Sequence, residues 1–186
     1  MNRHPDTLCV QEGWQPKNGE PRVLPIIQST TFKYDSSEHV GDLFDLKAPG
    51  HFYTRLSNPT TEAVENKLAA LEGGVGALMT AAGQSASLIA ILNLCNSGDH
   101  FIASSAIYGG TTNLFSVTLK KLGIEVTYVD SHATDEEIRA AFRPTTRAVF
   151  GETIANPALT VFDIERFAHV AHANGVPLIV DNTFPT

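Results

Sequence analysis

The sequence predicts an α/β protein with a mostly parallel sheet, helices on both faces of that sheet, and an extended arm before it. From residue 58 onward, short apolar strands alternate with helices across short connections, which is typical of a parallel sheet covered on both faces. Residues 1–34 instead carry four prolines and no sustained helical period, which favours an extended segment. The 186 residues, 42% hydrophobic and 18% charged, suit about one globular domain.

Composition excludes several classes of function. The formal net charge of −7 argues against a nucleic-acid-binding or anionic-membrane-binding surface, which would need a basic excess. No apolar run approaches the roughly 18 residues of a membrane span, and the first residues lack the apolar core of a secretion signal. Cys9 and Cys95 have no metal-ligand spacing and form no disulfide framework, so we expect a cytoplasmic protein that binds no metal.

The first predicted helices flank a break in the chain. Residues 36–46 can form a short helix, which Ala48-Pro49-Gly50 ends. Asn58 and Pro59 suit the cap and the first position of the next helix, and Gly73 suits its end. That helix would present one apolar face, made by Val64, Leu68 and Leu71.

The alternation of strand and helix then continues to the end of the sequence. The helix at 85–96 is apolar nearly all round, so we expect it to be buried, with Cys95 in the core. The predicted strands are 77–81, 100–104, 125–129, 147–151 and 178–180, and the other helices are 112–122, 134–142 and 163–174.

Parallel sheets bind ligands beyond the carboxyl ends of their strands, so the loops there hold the first candidate residues. Gly83 and Gln84 open a helix, where free N–H groups and the helix dipole can bind an anion; an ordinary glycine turn capped by Ser85 is the alternative. Tyr108 follows the 100–104 strand, where its ring could stack on a planar ligand or simply pack a turn.

Three further residue groups have two interpretations each. Asn156 could donate to a ligand oxygen or form a turn before Pro157. Asp181 follows an apolar strand, where its carboxylate needs a cationic partner, such as a ring nitrogen, or its own turn. Arg55, close to Tyr53, could bind phosphate through its planar guanidinium or lie at the surface.

The order of these groups along the chain is more specific than any one of them. It resembles the Cys/Met-metabolism family of pyridoxal-phosphate (PLP) enzymes, the trans-sulfuration enzymes of the aspartate-aminotransferase fold, from about residue 7 to residue 186. The sequence from Tyr53 to Thr60 is most similar to the branch of the family that acts on O-acetylhomoserine. The matching segments are Tyr53-Thr54-Arg55-Leu56-Ser57-Asn58-Pro59-Thr60, Ala82-Gly83-Gln84-Ser85-Ala86, Tyr108-Gly109-Gly110-Thr111, Asn156-Pro157 and Asp181-Asn182-Thr183-Phe184.

The resemblance implies a phosphate site built by two subunits. Backbone N–H groups of Gly83 and Gln84 would hold the phosphate of pyridoxal 5'-phosphate, while Tyr53 and Arg55 would reach the phosphate of a neighbouring subunit. It therefore implies a homo-oligomer, a dimer with composite sites that assembles into a tetramer. The other partners would be an amino-acid substrate and sulfide or a thiol.

The resemblance also implies contacts with the cofactor's ring. Tyr108 would stack on the pyridine and assist proton transfer, and Asn156 would meet the phenolic oxygen. Asp181 would pair with the protonated ring nitrogen, and Thr183 would lie near the ring. The implied reaction is a γ-replacement on O-acetylhomoserine with sulfide or a thiol, giving homocysteine or methionine.

One departure from the family pattern concerns the lysine that binds the cofactor. The family carries it in a Ser-x-Thr-Lys motif beyond the Asp-Asn-Thr-Phe segment, and none of the chain's lysines fits that motif. We therefore expect the N-terminal part of a longer enzyme, inactive by itself, with residues 1–57 as an arm and interface segment and residues 58–186 as part of the cofactor-binding domain. The lysines are Lys17, Lys33, Lys47, Lys67, Lys120 and Lys121.

Three alternatives stay open at this point. A cystathionine γ-synthase or γ-lyase would use the same site residues. A truncated, non-catalytic module would hold PLP or a phosphate without turnover. An unrelated nucleotide-binding α/β domain would share only the alternation of strands and helices.

Overall fold

The computed structural model describes residues 3–186, and these residues form two compact units. The first unit ends at Met79 and the second begins at Thr80. Within residues 3–186, no helix combines the length and the apolar character needed to cross a membrane.

The first unit contains three helices, α1 (Pro5–Gln11), α2 (Ser37–Phe44) and α3 (Pro59–Glu72). The capping predicted for α3 is confirmed: the Asn58 side chain accepts a hydrogen bond from the Thr60 N–H at 2.9 Å, and Pro59 occupies the first position. Gly73 ends the helix in the left-handed conformation, at φ 63°, which glycine adopts without a steric penalty.

Helix α1 is a correction to the sequence-based expectation that residues 1–34 contain no helix. Pro5 is the first residue of α1, where a proline costs no helical hydrogen bond, and the His4 ring accepts from the Asp6 N–H. Between α1 and α2 the chain is irregular apart from an antiparallel bridge between Thr31 and Tyr53, as an extended arm would be.

The irregular segment is fastened to the start of α3. The Thr60 hydroxyl donates to the Pro25 carbonyl at 2.8 Å and accepts from the Ile27 N–H at 3.0 Å. The Asn58 amide donates to the Ile27 carbonyl at 2.9 Å. The residues that begin α3 therefore also fix the course of the arm.

The second unit is built on a four-stranded sheet whose strands are all parallel, as predicted. Its spatial order is β2-β1-β3-β4, so β1 and β3 are central and β2 and β4 are edges. The strands are β1 (His100–Ser104), β2 (Glu125–Val129), β3 (Thr146–Glu152) and β4 (Leu178–Asp181).

Helices cover both faces of this sheet, which confirms the predicted layering. They are α4 (Gly83–Leu94), α5 (Gly109–Asn113) with a π-helical continuation (Leu114–Leu119), α6 (Asp135–Ala140) and α7 (Ile164–Ala173). Alternate residues of β1 point to opposite faces. Phe101 packs with Phe115 of the π-helical turn, and Ile102 packs with the cluster that contains Phe167 of α7.

Two predictions about apolar segments are wrong. Residues 77–81 form no strand and are mostly exposed, because apolar composition makes a strand only where a neighbouring strand takes up its backbone hydrogen bonds. Helix α4 is only partly buried: Ile91 is fully buried, whereas Ile89 and Leu92 are 46% and 42% exposed. The helix packs against the sheet on one side only.

Candidate functional site

The candidate site of the second unit lies at the carboxyl edge of the sheet. In the order β2-β1-β3-β4, the ends of β1, β3 and β4 are neighbours. Ala103 pairs with Phe150, and Glu152 pairs with Asp181 in register. The loops that carry the predicted residues Tyr108, Asn156 and Thr183 all start from these three strand ends.

Glu152, the last residue of β3, joins two of these loops. Its carboxylate is buried, with the residue 4% exposed. One oxygen, Oε2, accepts from the Tyr108 N–H at 2.6 Å, and the other, Oε1, accepts from the Asn156 N–H at 3.2 Å. A single side chain therefore holds the backbone of both predicted ligand-contacting loops.

The surroundings of Glu152 shift the pKa of its carboxyl group. Burial raises the pKa of this carboxyl above its ordinary value, and the nearby Asp181 carboxylate raises the pKa further. The N–H groups of Tyr108 and Asn156 lower it, because they bind the charged form.

The sequence does not predict Glu152 as a site residue. A usable signal was present, since an acidic residue directly follows the apolar run Ala148-Val149-Phe150-Gly151. A carboxylate at the end of a buried strand needs partners, just as Asp181 does. Glu152 is therefore a candidate site residue for the same physical reason as Asp181.

Tyr108 is the N-cap residue of α5, and its ring lies over Gly110. A Cβ placed on Gly110 would come within 2.4 Å of the ring carbon Cε1 of Tyr108, so only glycine leaves room for the ring there. The Tyr108 carbonyl accepts from the Thr112 N–H at 3.0 Å, which starts the helix. Tyr108 is 47% exposed, so its ring is accessible and is not the buried packing of a turn.

Of the two interpretations of Asp181, the structure shows the bond to its own turn, and the cationic partner stays a prediction. Its Oδ1 accepts from the Thr183 N–H at 3.0 Å and from the Thr183 hydroxyl at 2.6 Å, so it does bind its own turn. Its Oδ2 has no hydrogen-bond partner among residues 3–186. The turn therefore orients the carboxylate and leaves one oxygen for a ligand.

The start of α4 has unused donors. Ala82 caps the helix without a side-chain bond, so the alternative in which Ser85 caps it is wrong. Ser85 and Ala86 donate their N–H groups to the Ala82 carbonyl, whereas those of Gly83 and Gln84 have no acceptor within the described residues. The Gln84 amide donates to the Thr111 hydroxyl at 3.0 Å, which joins this loop to the Tyr108 loop.

The first unit holds the other two predicted residues. The Tyr53 carbonyl accepts from the N–H groups of Leu56 and Ser57 at 2.9 and 3.0 Å, which makes a tight turn around Arg55. The Arg55 guanidinium lies over the Tyr53 ring, 5.0 Å from its centroid. Arg55 is exposed and forms no ion pair with any described residue.

The His51 ring links this turn to α3. The His51 ring contacts the Ser57 hydroxyl at 3.0 Å through Nδ1 and the Glu62 carboxylate on α3 at 3.3 Å through Nε2. Asn58 adds a hydrogen bond from its amide to the Thr54 hydroxyl at 3.1 Å. Tyr53 and Arg55 are thus presented on an ordered segment.

The second unit therefore offers a particular set of groups. These are two unused N–H groups at a helix start for an anion, an accessible aromatic ring, the half-buried Asn156, and one free carboxylate oxygen that would suit a cation. An anionic, planar ligand with a protonated ring nitrogen fits this donor and acceptor set. This combination defines a cofactor-binding α/β domain.

Comparison with known proteins identifies the family. The model of the Cys/Met metabolism PLP-dependent enzymes matches residues 6–186, and the chain belongs to that family. The cofactor of the family is pyridoxal 5'-phosphate. This confirms the family resemblance and the α/β fold expected from the sequence.

Two similar proteins are both O-acetyl-L-homoserine sulfhydrylases. An O-acetyl-L-homoserine sulfhydrylase of Corynebacterium glutamicum is 52% identical over 165 residues, which are 89% of this chain and 38% of that protein. One from Leptospira meyeri is 44% identical over the whole chain and 42% of its own length. The chain thus spans about two fifths of the length of these relatives.

A solved structure is similar throughout. The crystal structure of a Campylobacter jejuni protein assigned as an O-acetylhomoserine (thiol)-lyase has a TM-score of 0.94 and 33% identity. The similarity covers 99% of this chain and 45% of that protein, which carries a pyridoxyl-lysine phosphate group.

Proposed function

We propose that the complete protein is a PLP-dependent transferase that replaces the acetyl ester of O-acetylhomoserine with sulfide or a thiol. The products would be acetate and either homocysteine or methionine. The observation that carries this choice of reaction is the 52% identity with an O-acetyl-L-homoserine sulfhydrylase over 89% of the chain. When bound, the cofactor supplies an electron sink for the substrate amino acid.

In this proposal the phosphate and the ring nitrogen are held at opposite sides of the cofactor. Gly83 and Gln84 bind the phosphate with their free N–H groups, aided by the positive end of the α4 dipole. Asp181 accepts from the protonated ring nitrogen through Oδ2, while Thr183 keeps Oδ1 occupied and the carboxylate oriented.

The remaining contacts are with the ring and its phenolic oxygen. Tyr108 stacks on the ring and assists proton transfer at the substrate, and Asn156 donates its side-chain amide to the phenolic oxygen. Thr183 lies beside the ring. The Schiff-base lysine of the complete protein would lie outside residues 1–186. None of the lysines in these residues lies in the Ser-x-Thr-Lys motif of the family: Lys17, Lys33, Lys47, Lys67, Lys120 and Lys121.

The reaction is tested with the complete protein loaded with PLP. We expect homocysteine from O-acetylhomoserine and sulfide, and little from the O-succinyl ester. Cystathionine formed from cysteine as the only nucleophile would favour the cystathionine γ-synthase alternative. Cofactor binding without turnover of any of these substrates would favour the non-catalytic module.

We further propose a homo-oligomer, a dimer with composite sites that assembles into a tetramer, in which Tyr53 and Arg55 bind the phosphate of the neighbouring subunit. Arg55 is exposed and unpaired among residues 3–186, so its guanidinium is available for two charge-assisted bonds to a phosphate. Residues 1–57 would then serve as the interface arm and residues 58–186 as part of the cofactor-binding domain.

Complementation tests this arrangement. An inactive Arg55→Ala enzyme is mixed with an inactive Asp181→Ala enzyme, and subunit exchange is followed by mass spectrometry. Mixed dimers would hold one site with both residues intact, so part of the activity should return. Exchange without recovered activity would assign Arg55 to its own subunit.

The proposal includes a cytoplasmic location. Cys9 and Cys95 are both free thiols, Cys95 in the core, and a reducing compartment suits free thiols. Fractionation of the source cells, with the protein followed by antibody, tests this part.

A further inference from the structure

We propose that Glu152 is a positioning residue that holds the Tyr108 and Asn156 loops in the geometry that binds the cofactor. This inference rests on the proposed function and deepens it, because it names a side chain that would reach the cofactor only through its neighbours. The geometry that carries it is the pair of hydrogen bonds from the Tyr108 and Asn156 N–H groups to the two oxygens of one buried carboxylate.

The two bonded groups are far apart in the chain but adjacent in the fold. Tyr108 is 44 residues before Glu152, and Asn156 is four residues after it. Tyr108 caps a short helix and Asn156 precedes a proline, so neither loop has a ladder of backbone bonds at these N–H groups. The Glu152 carboxylate is the acceptor that each of them uses.

Glu152 is also an expensive group to bury. No arginine, lysine or histidine within the described residues forms an ion pair with it, and its register partner on β4 is another acid, Asp181. Burying a carboxylate without a cationic partner is unfavourable. An acid in such a position is a functional candidate when it lies at a site, and Glu152 lies between the loops of the predicted site residues.

Glu152 also holds the backbone of Tyr108, whose ring is accessible. The ring is 47% exposed and has no hydrogen bond through its hydroxyl to any described residue, so little holds the side chain itself. The short 2.6 Å bond from the Tyr108 N–H to Glu152 fixes the backbone beneath it instead. Gly110 then sets the ring's orientation.

The test compares Glu152→Gln and Glu152→Ala with a matched control, Asp99→Asn, in the complete enzyme. Glutamine keeps the shape but has one acceptor oxygen, so its NH₂ group would face one of the two N–H donors. Asp99 lies just before β1, at the other end of the sheet, where its carboxylate accepts from the Asn96 N–H at 2.9 Å and pairs with Arg147. Both isosteric changes thus remove one carboxylate that accepts from backbone.

The readouts are the dissociation constant of PLP, the visible circular dichroism of the bound cofactor, and KM and kcat measured separately. We expect Glu152→Gln to weaken PLP binding by about tenfold, the effect of losing one hydrogen bond to a charged acceptor. The visible circular dichroism should fall, because the ring of the bound cofactor would no longer be held in one orientation. Glu152→Ala should be more severe, and Asp99→Asn should leave both cofactor readouts unchanged.

Unchanged cofactor binding and circular dichroism in a folded Glu152→Gln enzyme would overturn the proposal. So would equal cofactor effects in Glu152→Gln and Asp99→Asn, since a general loss of stability would then explain both. The proposed reaction fails separately: an unmodified enzyme that binds PLP but forms no homocysteine would refute the reaction and leave the Glu152 comparison valid.

Discussion

The two ends of the parallel sheet carry similar polar groups and use them differently. At the amino end, His100 is 1% exposed, and its ring nitrogens contact the Thr146 and Thr127 hydroxyls, each at 2.8 Å. At the carboxyl end, Asp181 leaves one oxygen without a partner among the described residues, and the N–H groups of Gly83 and Gln84 are also unused.

The difference separates groups that stabilise the fold from groups available to a ligand. Both ring nitrogens of His100 contact threonine hydroxyls on the two neighbouring strands, so this side chain links β1 to β2 and β3. Glu152 is an intermediate case: both oxygens are used, but on the backbone of loops that carry candidate site residues. We therefore expect changes at the amino end to alter stability and changes at the carboxyl end to alter cofactor binding and turnover.

The largest expected effect concerns the lysine that binds the cofactor. Residues 1–186 expressed alone should form no homocysteine from O-acetylhomoserine and sulfide, because none of their six lysines lies in the Ser-x-Thr-Lys motif of the family. The assay is product formation with PLP present, and mass spectrometry confirms that no longer species is in the sample. Homocysteine formed by the pure segment would contradict the prediction.

Next in size is the change Asp181→Asn in the complete enzyme, which should lower kcat at least about 100-fold while the fold stays intact. Asparagine can still accept from Thr183 but carries no charge for the ring nitrogen. Losing the charged partner of a buried cation typically costs about 3–5 kcal/mol, and about 1.36 kcal/mol corresponds to tenfold in rate.

The control for this change is Asp99→Asn at the opposite end of the sheet, with kcat expected to stay near that of the unmodified enzyme. Circular dichroism in the far ultraviolet checks the fold of both variants. Near-normal turnover of Asp181→Asn would remove the ring-nitrogen role from Asp181.

The sequence predicts the strands of the sheet well and the contacts at its ends poorly. Apolar runs bounded by turns place β1 and β2 at the observed residues, 100–104 and 125–129. The central strand β1 is buried along its whole length, as a strand covered on both faces should be. The same signal wrongly predicts a strand at 77–81, since composition does not reveal whether a partner strand is present.

The candidate site shows the same limit. Tyr108, Asn156 and Asp181 are predicted from their places after strands, and all three lie in loops or at strand ends of one sheet edge. Gly83 opens a helix as predicted, although the strand expected before it does not form. The role of Glu152 depends on a contact with Tyr108 across 44 residues, which no local pattern encodes. His100 was likewise predicted only as part of a strand.

The third prediction tests the amino end. Burial and the nearby Arg143 lower the pKa of His100 from 6.5 to about 4. The unfolded chain therefore binds more protons than the folded one between these values, so the stability due to neutral His100 is complete above pH 6.5 and is lost as the pH falls toward 4. Between pH 7.5 and 5.5 the loss should be about 1.3 kcal/mol.

Urea unfolding of the complete protein at the two pH values measures this loss as a difference between the unmodified protein and His100→Asn. The variant should be less stable at pH 7.5, because Asn cannot reach both Thr127 and Thr146, and it should lack this part of the pH dependence. The exposed His132 provides the control, since His132→Asn leaves His100 in place and should keep the part of the pH dependence that His100 causes. If His100→Asn and His132→Asn show the same slope, His100 does not titrate as described.

The smallest expected effect returns to the carboxyl end and separates site geometry from stability within one helix. Gly110→Ala should lower kcat/KM about fivefold, because the new Cβ would come within 2.4 Å of the Tyr108 ring and displace it, and an aromatic stacking contact is worth about 1 kcal/mol. Alanine also suits a helix better than glycine, so the melting temperature should not fall. The neighbouring Gly109→Ala is the matched control, since a Cβ there meets no atom within 4 Å. Equal kcat/KM values for the two variants would show that the ring position set by Gly110 has no part in turnover, whereas a fall confined to Gly110→Ala, at an unchanged melting temperature, would assign the loss to the Tyr108 ring.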